Sequence, residues 1–433
     1  MLNLRVFTTA LCFILGGFLN VATAQTGSQD ANDWIALQSG PNIFALREAL
    51  ENDLQASDGV RALAVAYIGA FSRDFDIANQ RLDYARRYAR ARNDVVFAEY
   101  VERVEDILLR EQGRFQALAT RLGQGAEAAN PWGQRVAYWS EKLTTSYIGA
   151  PEFSLSNISP DDVRIILPAS FSDVGGTLLF DSGAEGSLLS PEFADKFDAV
   201  TSGINFSMLT IDGPRLTELA SVPDLVIGAA KFGEVTVGIQ NQVDGVIGFF
   251  LNQGATGIMG FPLMARFGRI DFNVEEGRVD TLTFYRPGKR DKRANEPNIM
   301  IREDKPYAKV TLDGETYSCI FDTGAPRSLF SQAIVERYQD RLALEVLTRK
   351  QAKSRGLNGA KKVKYVSSVP VRAGHREIVL ENVHMVETAA QDIDFCIIGL
   401  DAVIKAGGAR LDLDNLHLTF GSQNNVNHAF NLR

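Results

Sequence analysis

Apolar residues in the first third of the chain recur with the spacing of an α-helix. Between about Asn42 and Leu122 they fall every three or four residues, which places them on one face of a helix. Two runs show this spacing: Val60, Leu63, Tyr67 and Phe71, and Val96, Tyr100, Val104 and Ile107. We therefore predict that residues 25–148 form a helical region, with each run on one helical face.

Two short polar segments interrupt this pattern and divide it into similar units. Ser72-Arg73-Asp74 is followed by Phe75-Asp76-Ile77-Ala78, and Glu111-Gln112-Gly113 is followed by the related Phe115-Gln116-Ala117-Leu118. The two related segments begin 40 residues apart. Helical hairpins that repeat at such a period resemble tetratricopeptide-like (TPR-like) units. Because the repeats are few, a small helical bundle is an equal alternative.

From about residue 150 the pattern changes to short runs of β-branched and aromatic residues separated by Gly, Asp and Asn. Examples are Val163–Leu167, Lys309–Leu312 and Lys364–Val369. Such runs predict strands joined in hairpins. The polar, basic segment Arg286–Pro297 contains Pro and Gly, and it predicts a linker between two β-rich units.

The two β-rich units carry matching motifs. Phe180–Ser190 reads FDSGAEGSLLS and Phe321–Ser331 reads FDTGAPRSLFS, and apolar residues precede each aspartate. A second motif, of two apolar residues and a glycine, ends at Gly260 in one unit and at Gly399 in the other. It lies 79 residues after the aspartate in the first unit and 77 residues after it in the second. A single Asp-Thr-Gly arises easily by chance, but matched pairs at matched spacing indicate a duplicated lobe.

Each unit resembles one lobe of the pepsin and retropepsin superfamily of aspartic peptidases, and in particular the bacterial retropepsin-like type. In that superfamily the first motif is Asp-Thr/Ser-Gly-Ala, and the second is a glycine on a strand beside the catalytic loop. The resemblance covers about Ile158 to Gly421. It implies a multidomain α+β protein: a helical region, a first all-β lobe (150–285), a linker (286–297), a second all-β lobe (298–421) and a C-terminal tail (422–433).

The resemblance implies one catalytic site shared by the two lobes. Asp181 and Asp322 would form a dyad, because two carboxylates held about 3 Å apart share one proton. The charged member would take a proton from water while the protonated member donates to the scissile carbonyl. The expected function is that of an aspartic endopeptidase. The alternative is a non-catalytic peptide-binding or adaptor protein built on protease lobes and a helical interaction region.

The resemblance also gives roles to the residues that follow each aspartate. Ser182 and Thr323 would form hydrogen bonds across the two loops. Gly183 and Gly324 would allow the tight turns and leave backbone amides free to approach the carboxylates.

Two further features are implied by the superfamily. Turn-like segments around Gly213 and Gly359, 32 and 37 residues after the aspartates, are candidates for the flap that covers a substrate. Cys319 and Cys396 each precede a motif residue by three positions, on strands that the superfamily places side by side. They would form a disulfide or remain as two buried free thiols.

The N-terminal residues predict a secretory signal peptide, residues 1–24. Arg5 supplies positive charge, Val6–Val21 is a short apolar run, and Ala22-Thr23-Ala24 supplies small residues before the cleavage site. An uncleaved anchor is the alternative. No later stretch is apolar for long enough to span a bilayer. The mature chain is therefore expected to be exported to the periplasm or secreted, with no stable membrane span.

Charge and composition narrow the expected partners. The net charge of −8 makes nucleic acid a poor electrostatic partner. The chain has four histidines, none with a ligand-like neighbour, so we expect no metal site and no cofactor. The expected partners are a peptide or protein substrate and a protein bound through the helical region.

Overall fold

The computed structural model of the protein describes residues 28–38, 42–52, 55–122, 131–142, 147–158, 164–172, 174–210, 213–240, 255–291, 296–349, 363–386 and 394–421. The predicted signal peptide, the C-terminal tail and the flap candidate at Gly359 lie outside the described residues. None of the helices in these ranges is long and apolar enough to cross a membrane. The chain divides into two compact units, which are called here the helical unit and the β unit.

The helical unit comprises Met1–Ser140, Asn205–Thr217 and Gly356–Asn358. The helices of the N-terminal region are α1 (Gln29–Gln38), α2 (Ile43–Glu51), α3 (Asp58–Phe71), α4 (Phe75–Arg92), α5 (Val95–Glu111), α6 (Phe115–Leu122) and α7 (Pro131–Lys142). Helices α3, α4 and α5 pack against one another. An N-terminal helical region is therefore present, and its resemblance to TPR-like units stays a prediction.

The predicted breaks between helices are confirmed. Helix α3 ends at Phe71 and α4 begins at Phe75, while α5 ends at Glu111 and α6 begins at Phe115. Both breaks are three-residue connections, so the polar segments noted in the sequence are the turns between consecutive helices.

The apolar spacing identifies the buried face of α3 but not that of α5. The predicted residues of α3 are all buried: Val60, Leu63, Tyr67 and Phe71. In α5 the buried residues include Phe97, Val101, Val104 and Leu108, so the predicted run shares only Val104 with them. Both sets have helical spacing and lie side by side on the helix. Tyr100 stays at the edge of the packed face, where the Arg103 guanidinium lies 5.2 Å from its ring centre.

The β unit comprises Glu141–Ile204, Glu218–Arg355 and Gly359–Arg433. Its first lobe contributes to a ten-stranded sheet in the order β1-β9-β8-β3-β4-β11-β5-β10-β7-β6. These strands are β1 (Tyr147–Gly149), β3 (Ile166–Phe171), β4 (Val174–Asp181), β5 (Leu188–Leu189), β6 (Val200–Thr210), β7 (Gly213–Val222), β8 (Leu225–Ile227), β9 (Ala230–Phe232), β10 (Val235–Gln240) and β11 (Gly257–Gly260). Two short helices complete the lobe, α8 (Pro191–Lys196) and α9 (Phe261–Met264).

The second lobe forms an eight-stranded sheet in the order β14-β15-β16-β21-β17-β20-β19-β18. The strands are β14 (Ile299–Arg302), β15 (Lys305–Leu312), β16 (Glu315–Phe321), β17 (Leu329–Ser331), β18 (Val346–Arg349), β19 (Val363–Ala373), β20 (Arg376–Val386) and β21 (Cys396–Ile398). Its helices are α10 (Gln332–Tyr338) and α11 (Leu400–Ala406). Each aspartate motif is thus followed by a short strand and a short helix, which is the order that the repeated sequence predicts.

A five-stranded sheet is built from strands of both lobes. Its order is β2-β13-β12-β22-β23. The strands are β2 (Glu152–Ser156), β12 (Arg269–Glu275), β13 (Arg278–Tyr285), β22 (Gly408–Asp412) and β23 (His417–Phe420). Strands β12 and β22 pair antiparallel, so that Arg269 aligns with Asp412 and Asp271 aligns with Arg410. The lobes are therefore joined by a continuous backbone ladder, and one hydrophobic core cluster contains residues of both.

Candidate active site

Asp181 and Asp322 lie at equivalent places, at the carboxyl ends of two buried strands. Asp181 is the last residue of β4, and Asp322 follows β16 directly. Strand β4 pairs in parallel with β11, which aligns Asp181 with Gly260, and β16 pairs in parallel with β21. The preceding Phe180 and Phe321 are completely buried. The packing of these two aromatic side chains therefore fixes where each aspartate leaves its strand.

Four hydrogen bonds join the two aspartate loops, residues 181–187 and 322–328, in a reciprocal pattern. The backbone N–H of Ser182 donates to Oγ1 of Thr323 at 3.0 Å, and the N–H of Thr323 donates to Oγ of Ser182 at 2.9 Å. The two hydroxyls then donate to the carbonyls of Phe321 and Phe180, at 2.7 and 2.9 Å. Both side chains are buried. Because every one of these polar groups is satisfied by the other loop, the loops are held in one relative position.

Gly183 and Gly324 each lie against the carboxyl group of the opposite loop. A Cβ atom on Gly183 would come within 2.5 and 2.6 Å of the carboxylate oxygens of Asp322. A Cβ atom on Gly324 would come equally close to the oxygens of Asp181. No other residue type fits at either position without moving a carboxyl group, so the close approach requires glycine. The two carboxyl groups therefore occupy one site.

Backbone donors and the opposite carboxyl group orient each side chain. The N–H of Gly183 donates to Oδ1 of Asp181 at 2.9 Å, and the N–H of Gly324 donates to Oδ1 of Asp322 at 2.9 Å. The N–H of Ala325 donates to the same oxygen of Asp322 at 3.1 Å. The two carboxyl groups also share a hydrogen bond with each other, which requires that one of them carries a proton.

Burial and mutual repulsion keep this pair partly protonated. Burial raises the pKa of Asp181 well above its usual range, and the charge of Asp322 and the hydrogen bond between them raise it further. Burial also raises the pKa of Asp322, but the hydrogen bond from Asp181, the backbone N–H groups and the positive charge of Lys305 lower it. The pair therefore holds one proton between its two carboxyl groups, and both groups titrate as one coupled pair.

The glycines of the second motif are held by two serines that the sequence reasoning did not single out. The N–H of Gly260 donates to Oγ of Ser187 at 3.2 Å, and the N–H of Gly399 donates to Oγ of Ser328 at 3.0 Å. Both serines are buried and stand six residues after their aspartate. Because both serines occupy the same position of the two repeated segments, they could have been recognised from the sequence as a matched pair. They tie each aspartate loop to the strand that runs beside it.

Cys319 and Cys396 lie on the neighbouring strands β16 and β21, and their sulfur atoms are bonded to each other. Both residues are buried. The bond closes a segment of 77 residues and lies three residues before Asp322. It therefore fixes the strand that delivers the second aspartate.

The first flap candidate falls in the hairpin of β6 and β7, where Gly213 is the first residue of β7. Its outer part, Asn205–Thr217, belongs to the helical unit. Within that unit, the guanidinium of Arg135 on α7 lies 4.3 Å from the ring centre of Phe206 on β6. The role of this hairpin as a flap stays a prediction, as does that of Gly359.

The β-rich part of the chain matches a model of a known protein family in two segments. Residues 167–262 and 308–402 each match the family model described as aspartyl protease. Each matched segment contains one aspartate motif and one second-motif glycine. No curated protein matches the chain. The two matches support placing the two β-rich lobes of this protein in the retropepsin-like aspartyl protease superfamily.

Proposed function

We propose that this protein is an aspartic endopeptidase whose active site is formed by Asp181 and Asp322 of one chain. The observation that carries the proposal is the reciprocal approach of the two loops, in which each motif glycine lies against the other loop's carboxyl group. A pair of merely turn-forming aspartates would not need to share one proton. As whole residues, Asp181 and Asp322 are half-buried rather than fully enclosed, which supports access of a water molecule and a peptide bond to the pair.

The chemistry follows from the two protonation states. Charged Asp322 accepts a proton from a water molecule as the water oxygen attacks the scissile carbonyl carbon. Protonated Asp181 donates its proton to the carbonyl oxygen, so that a neutral tetrahedral gem-diol forms without a covalent enzyme intermediate. Asp322, now protonated, gives its proton to the amide nitrogen, and a hydroxyl of the gem-diol returns a proton to Asp181 as the C–N bond breaks. The products are a carboxylic acid and an amine, and the dyad recovers its single proton.

The proposal is tested with Asp181→Asn and Asp322→Asn, assayed on a mixture of synthetic peptides with products identified by mass spectrometry. Each substitution should reduce cleavage at least about 100-fold, because an amide cannot exchange the required proton. Asp313→Asn, in an exposed turn between β15 and β16, is the matched control and should cleave normally. Full cleavage by both dyad variants would sink the proposal. Peptide binding without any cleavage by the wild type would instead favour the adaptor alternative.

A mixing experiment separates a single-chain site from one shared between two chains. Equal amounts of the Asp181→Asn and Asp322→Asn proteins are combined and assayed on the same peptides. We expect no recovery of activity, because each chain carries one defective half of its own site. Recovery to about a quarter or a half of wild-type activity would show that lobes of different chains pair.

We also propose that the chain is exported and that its helical region binds a protein partner or a segment of the substrate. The predicted signal sequence and the bonded cysteines support export, because disulfides persist in oxidising compartments. The TPR-like spacing supports a binding role for the helices.

N-terminal sequencing of the mature protein should begin at Gln25. Deletion of residues before about 150 distinguishes a covering propeptide, which would raise activity, from a structural role, which would unfold the chain.

A further inference from the structure

An ion pair connects the first aspartate loop to the second lobe. The ammonium group of Lys305 donates a hydrogen bond to Oε1 of Glu185. Glu185 directly follows the Asp-Ser-Gly-Ala motif of the first lobe, and Lys305 is the first residue of β15 in the second. The Lys305 side chain is only 12% exposed, whereas that of Glu185 is 43% exposed. A nearly buried cation therefore stands between the two lobes, beside the loop that carries Asp181.

The charge arrangement around the dyad is not symmetric. The residue of the second loop that corresponds to Glu185 is Pro326, which carries no charge. Strand β15 pairs directly with β16, the strand that ends at Asp322, and its register places Tyr307 opposite Ile320. Lys305 therefore projects from the strand next to the one that delivers the second aspartate.

The turn that delivers Lys305 has a strained backbone. Strands β14 and β15 are joined by the two residues Glu303 and Asp304, with Arg302 paired to Lys305. Glu303 and Asp304 have φ angles of 52° and 56°. These angles lie in the left-handed region, which in such a tight hairpin strongly favours glycine, asparagine or aspartate. Asp304 also interacts electrostatically with Arg266 of the first lobe. The turn therefore places Lys305 beside the first lobe, where Arg266 is the nearby cation that interacts with Asp304.

We propose that Lys305 is a positioning residue that makes the dyad asymmetric, so that Asp322 is the charged carboxylate and Asp181 the proton donor. This inference rests on the proposed function and deepens it. Glu185 holds the ammonium group in place, and the nearly buried cation then acts on Asp322 across a poorly screened distance.

The electrostatics of the neighbouring groups agree with this role. The charge of Lys305 lowers the pKa of Asp322, which burial raises. Burial lowers the pKa of Lys305 itself, but Glu185, Tyr307 and Glu303 raise it above its usual value, so it stays charged throughout the pH range in which carboxyl groups titrate.

Two substitutions that break the same ion pair should shift the pKa of Asp322 in opposite directions. Lys305→Met removes the cation. The acidic limb of the kcat/KM pH profile should then shift to higher pH, by about half a pH unit or more. Glu185→Gln leaves the cation without its counter-charge and should shift that limb to lower pH. A purely structural clamp predicts the same loss of stability from both and no opposite shifts. Lys305→Arg keeps the charge and should retain the wild-type profile.

The profile is measured on one peptide chosen from the cleaved mixture. Lys405→Met is the matched control, because it removes a Lys–Glu pair with Glu381 in the same lobe, with both side chains about half exposed. Its profile should equal that of the wild type. An unchanged limb in Lys305→Met, or shifts of the same sign in Lys305→Met and Glu185→Gln, would overturn the inference.

A second measurement keeps this test separate from the test of the proposed function. Carbon-13 NMR of protein labelled at the aspartate carboxyl carbons follows the titration of Asp322 directly, with its signal assigned by loss in Asp322→Asn. The apparent pKa of Asp322 should rise in Lys305→Met and stay unchanged in Lys405→Met. This outcome would support the asymmetry even if no peptide were cleaved, whereas an unchanged Asp322 titration in Lys305→Met would refute it even in an active enzyme.

Discussion

The two lobes present the same aspartate loop in different surroundings. Around the carboxyl groups they are nearly identical, with mirrored Ser/Thr hydrogen bonds and mirrored glycine contacts. Beyond the residues that contact the carboxyl groups, the two lobes differ. The second lobe has the Cys319–Cys396 disulfide where the first has Leu178 and Gly257 aligned on β4 and β11. The first lobe has Glu185 where the second has Pro326.

This comparison separates the features that the pair of carboxyl groups requires from the features that can differ between the lobes. The dyad needs two loops of the same shape, because each glycine accommodates the other loop's carboxyl group. The supporting strands need only be rigid, and rigidity can come from a disulfide or from apolar packing. The charges beside the loops need not match, since a proton shared by two groups is better placed by an unequal field.

The shared sheet offers the largest expected contrast between the lobes. Strands β12 and β22 carry the related sequences Arg269-Ile270-Asp271 and Arg410-Leu411-Asp412. Asp271 is buried and accepts two hydrogen bonds from Arg410, at 2.9 and 3.2 Å. Asp412 is less buried and accepts hydrogen bonds from Asn415 in its own turn.

Asp271→Ala should therefore lower the free energy of unfolding by about 3 to 5 kcal/mol, because it leaves Arg410 without its buried counter-charge. Asp412→Ala should cost only about 1 kcal/mol, since it removes the hydrogen bonds of one surface turn. Urea unfolding of the two variants measures both values. Equal losses would mean that the ion pair adds nothing to the ladder between the lobes.

Removal of the disulfide should weaken the second lobe selectively. The bond closes 77 residues, and replacing both cysteines by alanine should cost about 2 to 4 kcal/mol. Hydrogen exchange should rise in β16 and β21 while β4 and β11 stay protected. The wild type treated with a thiol reductant is the matched control and should behave in the same way. Equal deprotection of both lobes would show that they unfold as a single cooperative unit.

The smallest expected effect is a gain of stability from removing one carboxyl group of the proposed dyad. Because burial raises the pKa of Asp181 in the folded state, folding favours the protonated form. Its contribution is fully present below the unfolded pKa of about 4 and is lost as the pH rises through the folded pKa. Asp181→Asn cannot ionise, so it should gain about 1 to 2 kcal/mol over the wild type at neutral pH.

Thermal unfolding at pH 4 and pH 7 measures this gain, which should vanish at the lower pH. Asp322→Asn should gain less at neutral pH, because Lys305 favours the charged form of Asp322. An equal gain for both variants would contradict the asymmetry between the two lobes.

The repeated motifs made much of the site predictable from the sequence. They located both aspartate loops, the short helix after each loop and the strand that carries each second-motif glycine, because these features repeat within one lobe. Helical spacing located the breaks around Ser72 and Gln112. It did not identify the buried face of α5, where two adjacent faces are both apolar and only packing against α3 and α4 selects between them.

Contacts between distant parts of the chain were not predictable. Arg410 and Asp271 are 139 residues apart, and Lys305 and Glu185 are 120 residues apart. Neither pair leaves a periodic signal, because the partners meet only once both lobes have folded. The serines at positions 187 and 328 could have been found, since they repeat, but their roles depend on the strand that lies beside each loop.

The shared sheet also has a consequence for the order in which the protein becomes active. Its first strand, β2, is synthesised before either aspartate, and its last strands, β22 and β23, follow both. A nascent chain that still lacks residues 408–420 has both aspartates but not the ladder that joins the lobes. Under the proposed function, cleavage of peptides should therefore begin only near the end of synthesis, once β22 and β23 have joined the shared sheet.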